Sequence, residues 1–164
     1  MTIEPPLHAS RLDSPVGDLV ALSDGAHLVR LTWAEELDDT PDLHGEDAVS
    51  RETSRQLKAY FAGELTAFEL PIRFARGTDF EQAVWRGMLE IPHGETRTYG
   101  DLAHLTDGIA RAVGTACGRN PIPIVVPCHR VVGSDGKLVG FSGGKGVETK
   151  SWLLDFERGQ KRLF

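Results

Sequence analysis

Residues 96–121 read TRTYGDLAHLTDGIARAVGTACGRNP. The stretch divides into helix, short Gly-containing turn and helix, the pattern of a helix-turn-helix. At ~100° per residue, Ile109, Ala112, Val113, Ala116 and Cys117 of the second helix fall on one side. The other side holds Arg111, Gly114, Thr115 and Gly118. Exposed helix faces usually carry Glu, Lys and Gln, because glycine costs ~1 kcal/mol against alanine there. Two glycines beside one arginine leave two readings open. Another helix packs tightly on this face, or a DNA groove approaches the backbone with Arg111 projecting into it.

Upstream, TDFEQAVWRGMLEIPHG starts a unit of its own. Thr78 followed three residues later by Glu81 is a capping box. Phe80, Val84 and Met88 share one helical face, Trp85 and Leu89 adjoin it, and Pro92 and Gly94 end the helix. Further back, LHASRLDSPVGDLVALSDGAHLVRLTW reads as an antiparallel meander, with SPVGD and SDGA as turns. DDTPDLHGED is a polar connection. Val49, Thr53, Leu57, Tyr60 and Phe61 recur at helical spacing between Glu46 and Ala62, and Gly63 stops that helix. TAFELPIRF returns a short strand. The fold class expected is α+β, in two parts. Residues 1–76 form a small structural α/β domain with an antiparallel sheet. Residues 77–164 form a mainly helical domain holding the helix-turn-helix and Cys128.

The chain has 164 residues and a net charge of −6. The charge is segregated. Residues 1–76 hold 7 Lys and Arg against 14 Asp and Glu, whereas residues 97–145 hold 6 against 3. A locally basic segment can meet phosphates while the whole molecule stays acidic. No apolar run approaches the ~20 residues of a membrane span. The start, MTIEPPLHASRLDS, does not read as a signal peptide. The location expected is cytoplasmic and reducing, so Cys117 and Cys128 are expected as free thiols. Only Cys128 and His129 adjoin, which is too few ligands for zinc. The three histidines of the first part, His8, His27 and His44, read as solvated. No metal and no cofactor is expected.

Residues 123–136, PIVVPCHRVVGSDG, put a cysteine between a proline and a histidine. Pro121, Pro123 and Pro127 remove backbone donors, so this apolar run reads as a stiff extended segment against the core rather than a central strand. A free thiol has a pKa of ~8.5 and needs a base to become a nucleophile. A histidine oriented by a carboxylate supplies one. Adjacent side chains of an extended chain point opposite ways, so Cys128 and His129 need a bend or a bridging water. Asp155 and Glu157, in KSWLLDFERG, are the candidate orienting carboxylates.

With PCHRV in place, the second part resembles the O6-alkylguanine-DNA alkyltransferases, the methylated-DNA–protein-cysteine methyltransferases. GTDFEQAVWRGMLEIPHGETRTYGDLA, ARAVGTACGRNPIPIVVPCHRVVGSDGKLVGFSGG and KSWLLDFE are similar to successive blocks of that family, in order. DSPVGDLVAL and QLKAYFAGEL extend the likeness into the first part. The resemblance implies that Cys128 takes the alkyl group from guanine O6, and from thymine O4, in duplex DNA, in a single-turnover SN2 step. His129 would be the base through a water, and Glu157 would orient it. Tyr99 would hydrogen-bond the guanine. Arg111 would fill the gap left by a flipped nucleotide, with Ala110, Gly114, Thr115 and Gly118 against the minor groove. Asn120 would brace the cysteine segment, while Val131, Phe141 and Ser142 would line the pocket. Phe141 stands where many members have tyrosine before SGG. The partner implied is double-stranded DNA, with the protein a monomer and no membrane or metal involved.

Rival readings are a damage sensor that binds flipped bases without transfer, a helix-turn-helix regulator and a Cys-His-Glu hydrolase. Cys128 argues against the first. A regulator needs base-reading polar side chains on the second helix, and Gly114, Thr115 and Gly118 offer few. A hydrolase would release product and turn over, whereas alkyl transfer leaves one label per chain.

Overall fold

The structure is a computed structural model, and it describes residues 6–37, 43–138 and 143–162. The chain divides into two compact units, Met1–Ala75 and Arg76–Phe164.

In the first unit β1 (Leu7–Leu12), β2 (Leu19–Ser23) and β3 (Leu28–Trp33) form the expected meander. β1 and β2 are antiparallel with Leu12 opposite Leu19, and β2 and β3 with Leu19 opposite Trp33. The SPVGD turn needs its glycine. Gly17 sits at φ 112°, and a Cβ there would lie 3.2 Å from the Trp33 ring. A two-residue strand, β4 (Leu43–His44), joins β1 in parallel, so the sheet is mixed with order β3-β2-β1-β4. It falls inside the stretch read as a plain connection. The strand expected in TAFELPIRF reduces to a bridge at Ile72, where Leu28 N donates to Pro71 O and Arg73 N to Leu28 O. Pro71 has no N–H with which to continue a ladder.

Helix α1 (Ala48–Phe61) is capped by Asp47, which trades hydrogen bonds with Ser50. It buries Leu57 and Tyr60 as expected, but Ser50, Ser54 and Gln56 with them. Gln56 is satisfied by both backbone groups of Glu69, and Ser54 by Ser10. Those partners make burial of a polar face tolerable.

The second unit opens with α2 (Asp79–Met88), and Thr78 and Glu81 form the expected capping box. Val84, Trp85 and Met88 are buried, while Leu89 is exposed. α3 (Tyr99–Thr106) and α4 (Ala110–Gly118) follow. The turn between them holds Asp107 at φ 56°, and a Cβ on Gly108 would come within 2.5 Å of the Phe80 ring. α4 packs through Val113, Ala116 and Cys117, and Trp85 Nε1 donates to Ala116 O at 2.8 Å. Ile109 departs from expectation. The helix begins one residue later, so Ile109 is its extended N-cap and is 66% exposed.

Strands β5 (Arg97–Thr98) and β6 (Val131–Val132) pair in parallel. β5 runs straight into Tyr99, and β6 straight out of Cys128–Arg130. α5 (Val147–Arg162) closes the unit. Among the described residues, no helix is long and apolar enough to cross a membrane.

Candidate active site

Every residue from Pro121 to Val132 is buried. The segment is not the extended rod expected from its prolines. Val125 N donates to Pro123 O at 2.9 Å around Ile124, which is held at φ 73°. Cys128 N donates to Val126 O at 2.8 Å around Pro127. These are two γ-turns in six residues, and the first has the strained sign. Positive φ at a β-branched residue costs on the order of 1–3 kcal/mol, so tertiary packing holds it there. Prolines make the burial possible, because each removes an N–H that would need a partner. Asn120 does the bracing. Its Nδ2 donates to Val126 O at 2.8 Å and its Oδ1 accepts from Ile122 N at 2.9 Å.

Cys128–Arg130 then form a single 3-10 turn, the bend that an adjacent Cys-His pair requires. Cys128 is 4% exposed and His129 is fully buried. His129 Nε2 meets Glu157 Oε2 at 2.7 Å. Glu157 also accepts from Arg130 Nε at 2.9 Å, Arg130 Nη2 at 3.0 Å and Gly94 N at 3.2 Å. Arg130 Nη1 donates to Ile91 O at 2.7 Å. Asp155, the other carboxylate considered, is exposed. Glu157 is the one that reaches the histidine.

The charges follow from this packing. Burial opposes ionisation of Glu157, but the hydrogen bonds and charges of His129 and Arg130 outweigh it and hold the carboxyl well below the usual range. A carboxylate only accepts, so His129 carries its proton on Nε2. Burial lowers the His129 pKa against the pull of Glu157, leaving a neutral imidazole. Its Nδ1 then bears the lone pair, buried and without a hydrogen-bond partner among the described protein atoms. Burial raises the Cys128 pKa, against the opposing effects of Asn120 and Lys150. Burial thus opposes charge on both the Cys128 thiol and the His129 imidazole.

Tyr99, the first residue of α3, is buried and set by the Thr98–Asp101 capping box. Burial pushes its pKa further up, with the two thiols adding to the effect. Val131 is buried in β6. Phe141 and Ser142 lie outside the described residues. Of the helix residues, Ala110, Arg111 and Thr115 are exposed, and Gly114 and Gly118 are half-buried. Among the described residues, a Cβ on Gly114 would meet only Tyr99 Cε1, at 4.0 Å, so crowding by those residues does not account for that glycine.

Two buried cations were missed in the sequence. Arg130 was overlooked inside the PCHRV motif. Lys150 was overlooked because lysine is ordinarily solvated, yet its spacing of seven from Glu157 puts both on one helical face. Both cysteines are free and buried. Among the described residues, no group of three or more His, Cys, Asp or Glu side chains is placed to hold a metal.

Comparison with known proteins meets this geometry along nearly the whole chain. The family model described as "6-O-methylguanine DNA methyltransferase, DNA binding domain" matches residues 79–159. That described as "6-O-methylguanine DNA methyltransferase, ribonuclease-like domain" matches residues 7–74. The methylated-DNA–protein-cysteine methyltransferase of Mycobacterium tuberculosis is 44% identical over 156 residues, covering 93% of each chain. This chain belongs to the methylated-DNA–protein-cysteine methyltransferase family. The crystal structure of the Mycobacterium tuberculosis O6-methylguanine methyltransferase superposes with a TM-score of 0.84 at 42% identity, covering 94% of each chain. Mycobacterium tuberculosis OGT in complex with DNA superposes at 0.82 and 43% identity, covering 93% of this chain and 94% of that one.

Proposed function

We propose that this chain repairs alkylated duplex DNA by moving the alkyl group from guanine O6, and from thymine O4, onto Cys128, once per molecule. The observation that carries the reading is the buried Cys128 followed by a neutral, carboxylate-anchored His129. His129 Nδ1 takes the thiol proton, through a single water. The sulfur attacks the alkyl carbon as the C–O6 bond breaks, and the bonding pair goes to the purine. Overall the sulfur exchanges a proton for an alkyl group and the purine gains a proton. Tyr99 hydrogen-bonds the departing base. Glu157 fixes the histidine tautomer but does not itself accept the proton, because its pKa is too low.

A base inside a duplex cannot reach a thiol that is 4% exposed, so the nucleotide must leave the stack. The α4 face suits that task. Arg111 is the wedge, and Ala110, Gly114, Thr115 and Gly118 admit the edges of a minor groove. The open space above Gly114 supports this over helix packing. Val131 lines the base pocket. The protein acts as a cytoplasmic monomer without metal or cofactor. Residues 1–76 have a structural role, and residues 77–164 bind DNA and carry the transfer.

The test is intact-protein mass after incubation with a duplex holding one O6-methylguanine, beside a Cys128→Ala control. One added methyl, absent in the control, is expected. Lesion-selective binding without a mass change would make the chain a damage sensor instead.

A further inference from the structure

Lysine is among the residues least often fully buried, because its ammonium gives up hydration that few interiors replace. Lys150 is 1% exposed and is one of the largest fully buried side chains in the structure. Its Nζ lies 3.2 Å from the Tyr99 hydroxyl and 5.5 Å from the centroid of that ring. The placement follows from α5. Lys150 and Glu157 lie two turns apart on one face, with Leu153 and Leu154 buried between them. The helix that brings Glu157 to His129 thus brings Lys150 to Tyr99.

We infer that Lys150 is a positioning residue for the transfer: its ammonium holds the Tyr99 oxygen as a hydrogen-bond acceptor and so turns the phenolic proton toward the departing purine. This rests on the reading of Cys128 as the alkyl acceptor. An ammonium has three donors and no lone pair, so the contact can run in one direction only. With its oxygen accepting from Lys150, the phenol has one lone pair committed to the lysine and its proton directed away from it. A lone pair aimed at a purine gathering negative charge would repel it. A donor fixed beforehand needs no reorganisation when the charge appears. No proton leaves Tyr99 or Lys150 in this scheme. The raised pKa of the tyrosine suits a group that donates a hydrogen bond and keeps its proton. Burial draws the lysine pKa down, and the nearby Cys128 and Cys117 draw it back up.

The experiment is single-turnover methyl transfer from a duplex with one O6-methylguanine, in the wild type, Lys150→Met, Tyr99→Phe and the double variant. Maximal rate and half-saturating DNA concentration are read separately. Lys150→Met keeps the length and removes the donor. Its maximal rate is expected to fall at least about tenfold, short of the ~10²–10³ for deleting a charge-stabilising donor outright. Half-saturation should stay within about twofold, since the lesion-free DNA contacts are untouched. In the Tyr99→Phe background the same substitution should cost less than about threefold, because the group it acts through is gone. Equal costs in both backgrounds, a wild-type rate in Lys150→Met, or a change confined to half-saturation would each overturn the inference. Should Lys150→Met lose its cooperative melting transition, Lys150→Leu, which also lacks a donor, takes its place in the same cycle under the same criteria. A wild-type protein that leaves no methyl on Cys128 would instead sink the underlying reading.

Discussion

Glu157→Gln isolates the electrostatics of the site. The change keeps the side chain's shape but removes its charge, leaving the Arg130 guanidinium buried opposite a neutral amide. The Arg130 side chain is 8% exposed and that of Glu157 is 0%, so water does not replace the lost partner. Removing one member of a buried ion pair costs about 3–5 kcal/mol. The unit concerned, Arg76–Phe164, falls in the size range where 1 kcal/mol moves Tm by about 4–8 °C. Its unfolding transition should therefore fall by at least about 12 °C in scanning calorimetry. Adding Arg130→Met should recover at least half of that loss, because an absent pair is cheaper than a broken one. The same variant lets the amide face His129 Nε2 with its NH2, which sends the ring proton to Nδ1 and blocks the base. Methyl transfer should then slow by about 10²–10⁴. A drop in Tm below about 4 °C, or a double variant less stable than Glu157→Gln alone, would refute this account of what Glu157 does.

Two further outcomes bear on other parts of the site. Gly114→Ala meets, among the described residues, only Tyr99 Cε1 at 4.0 Å, and should stabilise α4 by about 0.5–1 kcal/mol. If α4 lies against DNA, the same methyl should weaken duplex binding about tenfold in a mobility-shift titration; a variant both more stable and equally tight would exclude that face. His129 gives a pH signature. Its pKa is lowered by folding, so below pH ~6.5 the unfolded chain takes up a proton that the folded one refuses. Stability should decline as pH falls from ~6.5 through the folded pKa, and His129→Gln should flatten that limb of a urea-denaturation series.

The legibility of the sequence followed local physics. The capping box at Thr78 and the turn at Asp107–Gly108 require only neighbours a few residues apart, whereas the similar box at Thr98 was not read. The meander was legible for the same reason, since Gly17 and Gly25 mark its turns with positive φ. β4 was not, because a two-residue exposed strand has no periodicity to show. The buried polar face of α1 was missed because its justification lies elsewhere, in Ser10 and in the backbone of Glu69. Pro121, Pro123 and Pro127 announced a segment without ladder hydrogen bonds, but its γ-turns depend on a positive φ at Ile124 that no propensity would assign. The resemblance named Cys128, His129, Glu157, Tyr99 and Asn120 as a set. Residue type alone would have put Lys150 in solvent, and only its heptad spacing from Glu157 hinted otherwise.

If Cys128 is used once per molecule, as proposed, the resting state of the site bears on how the thiol lasts until it is needed. Oxidation follows thiolate character and exposure. Cys128 is 4% exposed and its pKa is raised by burial, so both are kept low. The price would be a sluggish nucleophile, were it not for the arrangement of the base. Glu157 is locked as an anion by Arg130 and Gly94, fixes the proton of His129 on Nε2 and leaves Nδ1 ready at neutral pH. On the proposed reading, activation moves one proton from Cys128 to His129 Nδ1 rather than holding a free thiolate. Under the proposed chemistry, a protected thiol and a prompt one are compatible because the charge stays on Glu157 and Arg130 until an alkylated base arrives.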